Sequence, residues 1–382
     1  MQNGTVMAFS VLYLPLVREF GEGRGAVATV QSAVVLLGGL GAPVAGAALD
    51  RWGPRRLFQT GAALAAAGLL LASLARSLPL VVVAYGVLGG AGLALLASSP
   101  NMVVVAQWFP RRRAQAIALA DLGTPAGAFL LVPLSQLVVE RAGWRAALVL
   151  LAVLLVGLVV PANALQRLPT APEGRPADPR PVRTAARTPT FWWLAALRFL
   201  TGIGFTVINT HAVALAVEAG VSPLQAAAAL GSVSLVSVAG RLGVGWLTDR
   251  RGPPVALTAS FTSGLAGIAC LGLLGATGHP GWLAAFVLCY GLAQGSGGIV
   301  ATATATAAFQ GQAVGAVTGW IAVASGPGEA LGAWGGGALY DRTGGYRVAL
   351  VLAGAALGAG IFTIWQTRRR EVEHAAASPH PR

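Results

Sequence analysis

The chain has 382 residues, of which 55% are hydrophobic and 10% charged, and a mean hydropathy of +0.70. A soluble domain carries about 25% charged residues, so this composition excludes the soluble globular and disordered classes and points to helices in lipid. The net charge of +13 comes from 26 Arg and no Lys, grouped in short breaks between apolar runs, which reads as membrane topology and not as a nucleic-acid surface.

A membrane-crossing helix needs about 20 apolar residues. Charged or turn-rich breaks divide the chain into twelve such spans, at 2–17, 26–49, 57–75, 80–106, 114–139, 145–164, 190–217, 224–247, 254–276, 282–307, 313–340 and 347–366. Span 1 is short: residues 2–17 reach about 24 Å as a helix against a core of about 30 Å. Met1 runs straight into that span, so no cleaved secretory signal is expected. The stretch from Leu165 to Thr188 is rich in Pro and Arg and too polar to fold alone. The expected organisation is therefore a six-helix bundle over 1–164, a cytoplasmic linker over 165–189, a second bundle over 190–367 and a tail over 368–382. If the N-terminus is inside, the inner loops and termini hold 17 Arg and the outer loops 7, which favours a cytoplasmic location for both termini.

The two halves repeat. Gly46, Asp50, Arg51 and Gly53 follow span 2 as G-x-x-x-D-R-x-G, and Gly245, Asp249, Arg250 and Gly252 follow span 8 at an offset of 199 residues. Gly337, Asp341, Arg342 and Gly344 repeat the spacing after span 11. Glu140, Arg141 and Gly143 form its weaker partner 201 residues earlier. This offset implies duplicated six-helix units with a site between them near the bilayer midplane. The loop itself reads as a conformational latch, with glycines for close helix approach and an Asp that accepts from a neighbouring helix or Arg.

Arg241 is the most informative residue. It is the one charge within Ala226–Leu247, where an Arg costs at least about 2.5–3.5 kcal/mol at bilayer depth. Its fork of donors matches a carboxylate. His211 lies in mid-span 7 and is a candidate both for hydrogen-bonding an anion and for carrying a proton. Glu329 follows Ser325-Gly-Pro327-Gly in span 11, where a broken helix and a protonatable acid are expected. Asp121 in span 5 is a further proton-coupling candidate, with Arg111–Arg113 or Arg198 as its expected partners. Arg198 itself is expected to snorkel to the membrane edge. Tyr85, Asn101, Tyr290 and Gln294 in spans 4 and 10 are candidate cavity donors. Asn209 reads as a polar contact between helices, and Glu218 as loop-facing. Cys270 and Cys289 read as small packing residues.

The signature loops, the twelve spans, the linker and the duplication resemble the major facilitator superfamily over the whole chain. That resemblance implies an all-α membrane protein, with twelve transmembrane helices in two pseudo-symmetric bundles that rock about a central cavity. Gln107-Trp-Phe-Pro110-Arg111-Arg112-Arg113-Ala-Gln-Ala116, Leu14-Pro15-Leu-Val-Arg18-Glu19-Phe-Gly21 and Asp341-Arg342-Thr-Gly344-Gly-Tyr346 look like the monocarboxylate porters and their oxalate/formate-type bacterial relatives. In that group a span-8 Arg binds the substrate carboxylate, and it matches Arg241. The group's span-1 Lys is absent here. Ser237 stands where many members carry an Asp one turn before that Arg, so the coupling carboxylate is displaced or absent.

The expected function is secondary transport of small organic anions, chiefly monocarboxylates, by proton symport or anion exchange. A proton-coupled exporter of drugs is the alternative within the fold, and a transport-dead membrane sensor is the alternative outside it. No catalytic, metal or cofactor motif is present, so neither an enzyme nor a cofactor is expected. The expected partners are the bilayer, the anion and protons, with no nucleic acid, for a monomer in the cell membrane.

Overall fold

The computed structural model describes residues 1–109, 116, 119–164, 180–309 and 314–377. Arg111–Arg113, residues 165–179 of the expected linker and residues 378–382 of the tail lie outside the described residues. Every regular element among the described residues is helical. Eight helical stretches are long and apolar enough to cross a membrane, and several of the remaining spans are made of shorter pieces.

Span 1 is Gln2–Phe20, 19 residues and about 28 Å, so it reaches further than the charge at Arg18 suggested. Ala42–Ser73 carries the end of span 2, its connecting loop and span 3. Gly123–Ala164 carries most of span 5 together with span 6. Each turns at one glycine, Gly53 (φ 74°, ψ 168°) and Gly143 (φ 82°, ψ 170°), and Gly252 between spans 8 and 9 has the same conformation (φ 86°, ψ 163°). Only glycine adopts this region at low cost. The final glycine of the repeated loop is thus a backbone requirement, met in three copies.

The first glycine of the loop behaves differently from expectation. A Cβ added at Gly46 or Gly245 would meet nothing within 4 Å, so neither allows a close helix approach in this conformation. Gly337, the third copy, does pack tightly, against the backbone of Arg24 and Gly25.

Among the described residues, four spans are broken between two described helices. Span 2 breaks at Gly41, between Arg24–Leu40 and Ala42–Ser73. Span 4 contains a π-helical segment, Val82–Gly89, and breaks before Ser98–Trp108. Span 10 breaks between Gly281–Ala293 and Ser296–Ala308, with Gly295 in the left-handed region (φ 88°). Span 11 breaks at Ala324, between Val314–Val323 and Ser325–Thr343, beside the Gly-Pro-Gly run that pointed to a bend.

The halves are built alike. Tyr85 in span 4 is fully buried and donates to the Thr5 carbonyl of span 1 at 3.1 Å. Tyr290 in span 10 is fully buried and donates to the Phe205 carbonyl of span 7 at 3.0 Å. The halves meet most closely where span 2 packs on span 11: Gly39 faces Gly326, Gly25 faces Ala338, and Ser32 Oγ donates to the Ala330 carbonyl at 2.8 Å.

Candidate functional site

A cavity of about 470 Å³ lies between the halves, toward the end of the molecule that carries the N-terminus. All four broken spans line it, through Gly39 and Ala42, Ala97 and Ser98, Gln294 and Gly295, and Ala322 and Ser325. Breaks free backbone groups, and backbone of this kind is tolerated in lipid only where it borders protein or a cavity. Its charged lining residues are Arg198, Arg241 and Glu329.

Arg241 reaches the cavity from Pro223–Arg251 and donates from Nη1 to Asp121 Oδ2 at 2.9 Å. Asp121 lies near the start of the span-5 stretch Leu119–Ala164, so the pair ties one half to the other. This partner differs from those expected for Asp121. It also places a carboxylate on Arg241 from across the molecule, where Ser237 contributes none: Ser237 is buried and donates to the Ser234 carbonyl. Arg241 Nε is buried with no hydrogen-bond partner. Gly295 makes room for this side chain, since a Cβ there would lie 2.7 Å from Nε.

Arg198 does not snorkel. It lines the cavity from Pro189–Glu218, about 15 Å into that helix, and its Nη1 would lie 3.1 Å from a Cβ on Gly298. That depth, half of a 30 Å core, was the available signal. Glu329 lines the same cavity and provides the nearest countercharge. Gln294 lines it too, donating to Asn209 Oδ1 at 3.4 Å while its own Oε1 is buried without a partner. Asn209, read as an inter-helix contact, makes that contact and also faces the cavity. Gln31 and Thr210 add lining atoms that are buried and unpartnered, Oε1 and Oγ1, and nothing in their local sequence singled them out.

Four expected site residues lie elsewhere in this conformation. Tyr85 and Tyr290 spend their hydroxyls on the backbone of spans 1 and 7 and do not line the cavity. Asn101 donates to the Ala97 carbonyl of its own span at 3.2 Å and does not line it either. His211 is 2% exposed, its Nε2 lies 2.9 Å from the Ala333 carbonyl, and its ring packs between Tyr13 and Tyr346. Two aromatic walls and a backbone carbonyl close it off from the cavity.

His211 borders a polar seal at the opposite end. Asp341 accepts from the backbone N–H of Arg24 and of Gly25, each at 2.8 Å, capping the start of span 2. The Arg24 guanidinium donates to Glu218 and to the Tyr346 hydroxyl, and lies 3.6 Å from the centre of the Tyr340 ring. Glu218, expected to face a loop, is a principal partner in this cluster. At the cavity end, Asp50 and Asp249 make no hydrogen bond or ion pair among the described residues, Arg51 is exposed, and Arg250 stacks on Trp246. The third copy of the repeated loop is therefore engaged through its Asp, while the Asp of the first two has no such contact among the described residues.

The sequence matches the Major Facilitator Superfamily over residues 2–333. It is 31% identical to Monocarboxylate transporter 13 of Bos taurus over 358 residues, covering 94% of this chain and 84% of that protein. It is 28% identical to Monocarboxylate transporter 11 of Homo sapiens over 373 residues, covering 95% and 79%. The fold is similar to that of a bacterial homolog of the human lysosomal transporter Spinster in its inward-facing, occupied conformation, with TM-score 0.74 and 16% identity over 96% of this chain and 94% of that one. This is a multi-pass membrane transporter of small solutes, not an enzyme, and it belongs to the major facilitator superfamily, with monocarboxylate transporters as relatives over nearly its whole length.

Proposed function

We propose that the protein is a secondary transporter of small organic anions, chiefly monocarboxylates, that binds the substrate carboxylate on Arg241 and works by alternating access. The carrying observation is Arg241 itself, a guanidinium facing a cavity between the halves with Nε unpartnered and one nitrogen held by Asp121. A substrate carboxylate offers the same acceptor geometry as Asp121 and competes with it for the fork.

Charge balance favours proton coupling. Arg198 and Arg241 face Glu329 and Asp121, two cations against two anions. A bound monocarboxylate leaves one uncompensated negative charge in a partly desolvated cavity, which opposes binding. One proton taken by Glu329 or Asp121 restores neutrality. His211 is not given that role, because its ring lies outside the cavity. The engaged seal around Arg24 and the cavity at the other end, beside the N-terminus, support an inward-facing state in a cell membrane with both termini cytoplasmic. One chain supplies the whole cavity, in keeping with a monomer. The domain boundaries near 164 and 190 belong to the same reading.

The test is uptake of labelled lactate and pyruvate into proteoliposomes, with and without an inward proton gradient. Accumulation driven by the gradient supports symport. Countertransport alone, indifferent to the gradient, supports exchange. No movement of any small carboxylate contradicts the assignment.

A further inference from the structure

We propose that Arg198 and Glu329 form a second, proton-gated anion subsite, so that the cavity accepts a short dicarboxylate with one end on Arg241 and the other on Arg198. The inference rests on the carboxylate role proposed for Arg241.

The geometry is set where span 10 restarts, at Ser296–Ala308, which Gly295 caps. Gly295 and Gly298 are three residues apart, and each lies under an arginine: a Cβ on Gly295 would be 2.7 Å from Arg241 Nε, and one on Gly298 would be 3.1 Å from Arg198 Nη1. Cβ positions at this spacing lie roughly 5–6 Å apart, so the two guanidinium groups stand no more than about 12 Å from each other. Charge-assisted contacts of about 2.8 Å at each end leave at most roughly 6 Å between the bound oxygens. Two carboxylates on a chain of no more than roughly four carbons, at about 1.5 Å per bond, fit within that limit. Gly295 is required, because a side chain there would push into the Arg241 guanidinium, whereas at Gly298 the end of Arg198 would have to give by only a few tenths of an ångström.

Arg198 is available for this role. Among the described residues it makes no hydrogen bond or ion pair, although it lies inside the membrane-spanning region. Its countercharge is Glu329, on the adjoining span 11, which packs against span 7 so that a Cβ on Gly202, one turn past Arg198, would lie 3.2 Å from Glu329 Cγ. With Glu329 ionised, Arg198 is compensated and a second carboxylate meets repulsion. With Glu329 protonated, Arg198 is a free cation at the right distance. The other charged group lining this space is Arg241 of span 8, with Asp121 of span 5 paired to it. The lining residues from spans 2, 4 and 10 are neutral.

The experiment uses the full chain in proteoliposomes, with labelled pyruvate, malonate and succinate. Malonate or succinate is expected to enter and to compete with pyruvate, more strongly at acid pH. Arg198→Gln is expected to lower dicarboxylate uptake at least about tenfold more than pyruvate uptake, with Arg198→Lys between the two. Glu329→Gln is expected to flatten the pH dependence of dicarboxylate competition. The proposal is overturned if wild-type protein neither transports nor is inhibited by any dicarboxylate. It is also overturned if Arg198→Gln lowers uptake of both classes equally while the protein elutes and melts like wild type. Arg241→Gln separates the two readings: if it leaves pyruvate uptake intact, the carboxylate role of Arg241 itself fails.

Discussion

Arg241 of span 8 donates to Asp121 of span 5 at 2.9 Å, with the two side chains 28% and 38% exposed. The pair crosses the interface between the halves at the edge of the cavity, so anything that takes Asp121 off Arg241 also loosens the halves from each other. A substrate carboxylate does this directly, and a proton on Asp121 does it indirectly. Such a pair, partly solvated, contributes on the order of 1 kcal/mol. That is weak enough for a substrate to displace it.

Asp121→Asn removes the competitor and keeps the side-chain shape. Pyruvate affinity is expected to rise by up to about fivefold, the equivalent of about 1 kcal/mol. Uptake driven by a proton gradient is expected to fall relative to exchange, because one of the two candidate proton acceptors is gone. Equilibrium binding and gradient-driven uptake, measured on the same preparation, check both halves of this expectation.

Gly295→Ala addresses the room that Arg241 occupies. The position has φ +88°, and its added Cβ would press on Arg241 Nε. The backbone strain alone costs about 1–2 kcal/mol. Displacement of the guanidinium is expected to weaken carboxylate binding at least about tenfold, a larger loss than the change in melting temperature would suggest. The control is Gly315→Ala, at a described position where an added Cβ meets nothing within 4 Å and φ is not in the left-handed region.

Arg24→Ala removes the guanidinium of the seal but leaves the backbone bonds to Asp341. The lost interactions are a charge-assisted bond to Glu218, a bond to Tyr346 and a cation–π contact with Tyr340, together worth on the order of 1–3 kcal/mol. The population open at that end is expected to grow several-fold or more. Spin labels at Ser77 and His279, exposed loop positions in opposite halves, report it as a longer distance component. An unchanged distance distribution would show that the seal is held by the span 2–span 11 packing alone.

Much of the architecture was legible in the chain because lipid leaves few choices. Apolar runs of about 20 residues, separated by arginines, are helices that span, and the G-x-x-x-D-R-x-G loop repeats because its last glycine needs a backbone conformation that other residues adopt only with strain. The site was legible in part. Arg241 and Glu329 stood out as single charges in apolar context, and both line the cavity. Which way a helix turns its polar residues is decided by packing between elements far apart in sequence. His211 and Arg198 exchanged their expected places for this reason: one is walled in by Tyr13 and Tyr346, the other faces the cavity across Gly298. Tyr85 and Tyr290 carry the same lesson, since a buried hydroxyl takes the nearest free carbonyl. The bond between Asp121 and Arg241, 120 residues apart, had no local trace at all.

The central claim is that Arg241 holds the substrate carboxylate, and it is tested most directly by pyruvate binding to purified Arg241→Gln and Arg241→Lys beside wild type. Loss of one partner in a charge-assisted contact costs about 1.5–3 kcal/mol, so binding by the Gln variant is expected to fall at least about tenfold. The Lys variant, which keeps the charge but not the fork, is expected to fall between them. Pyruvate binding and uptake by Arg241→Gln equal to wild type, in a protein that melts normally, would contradict the account.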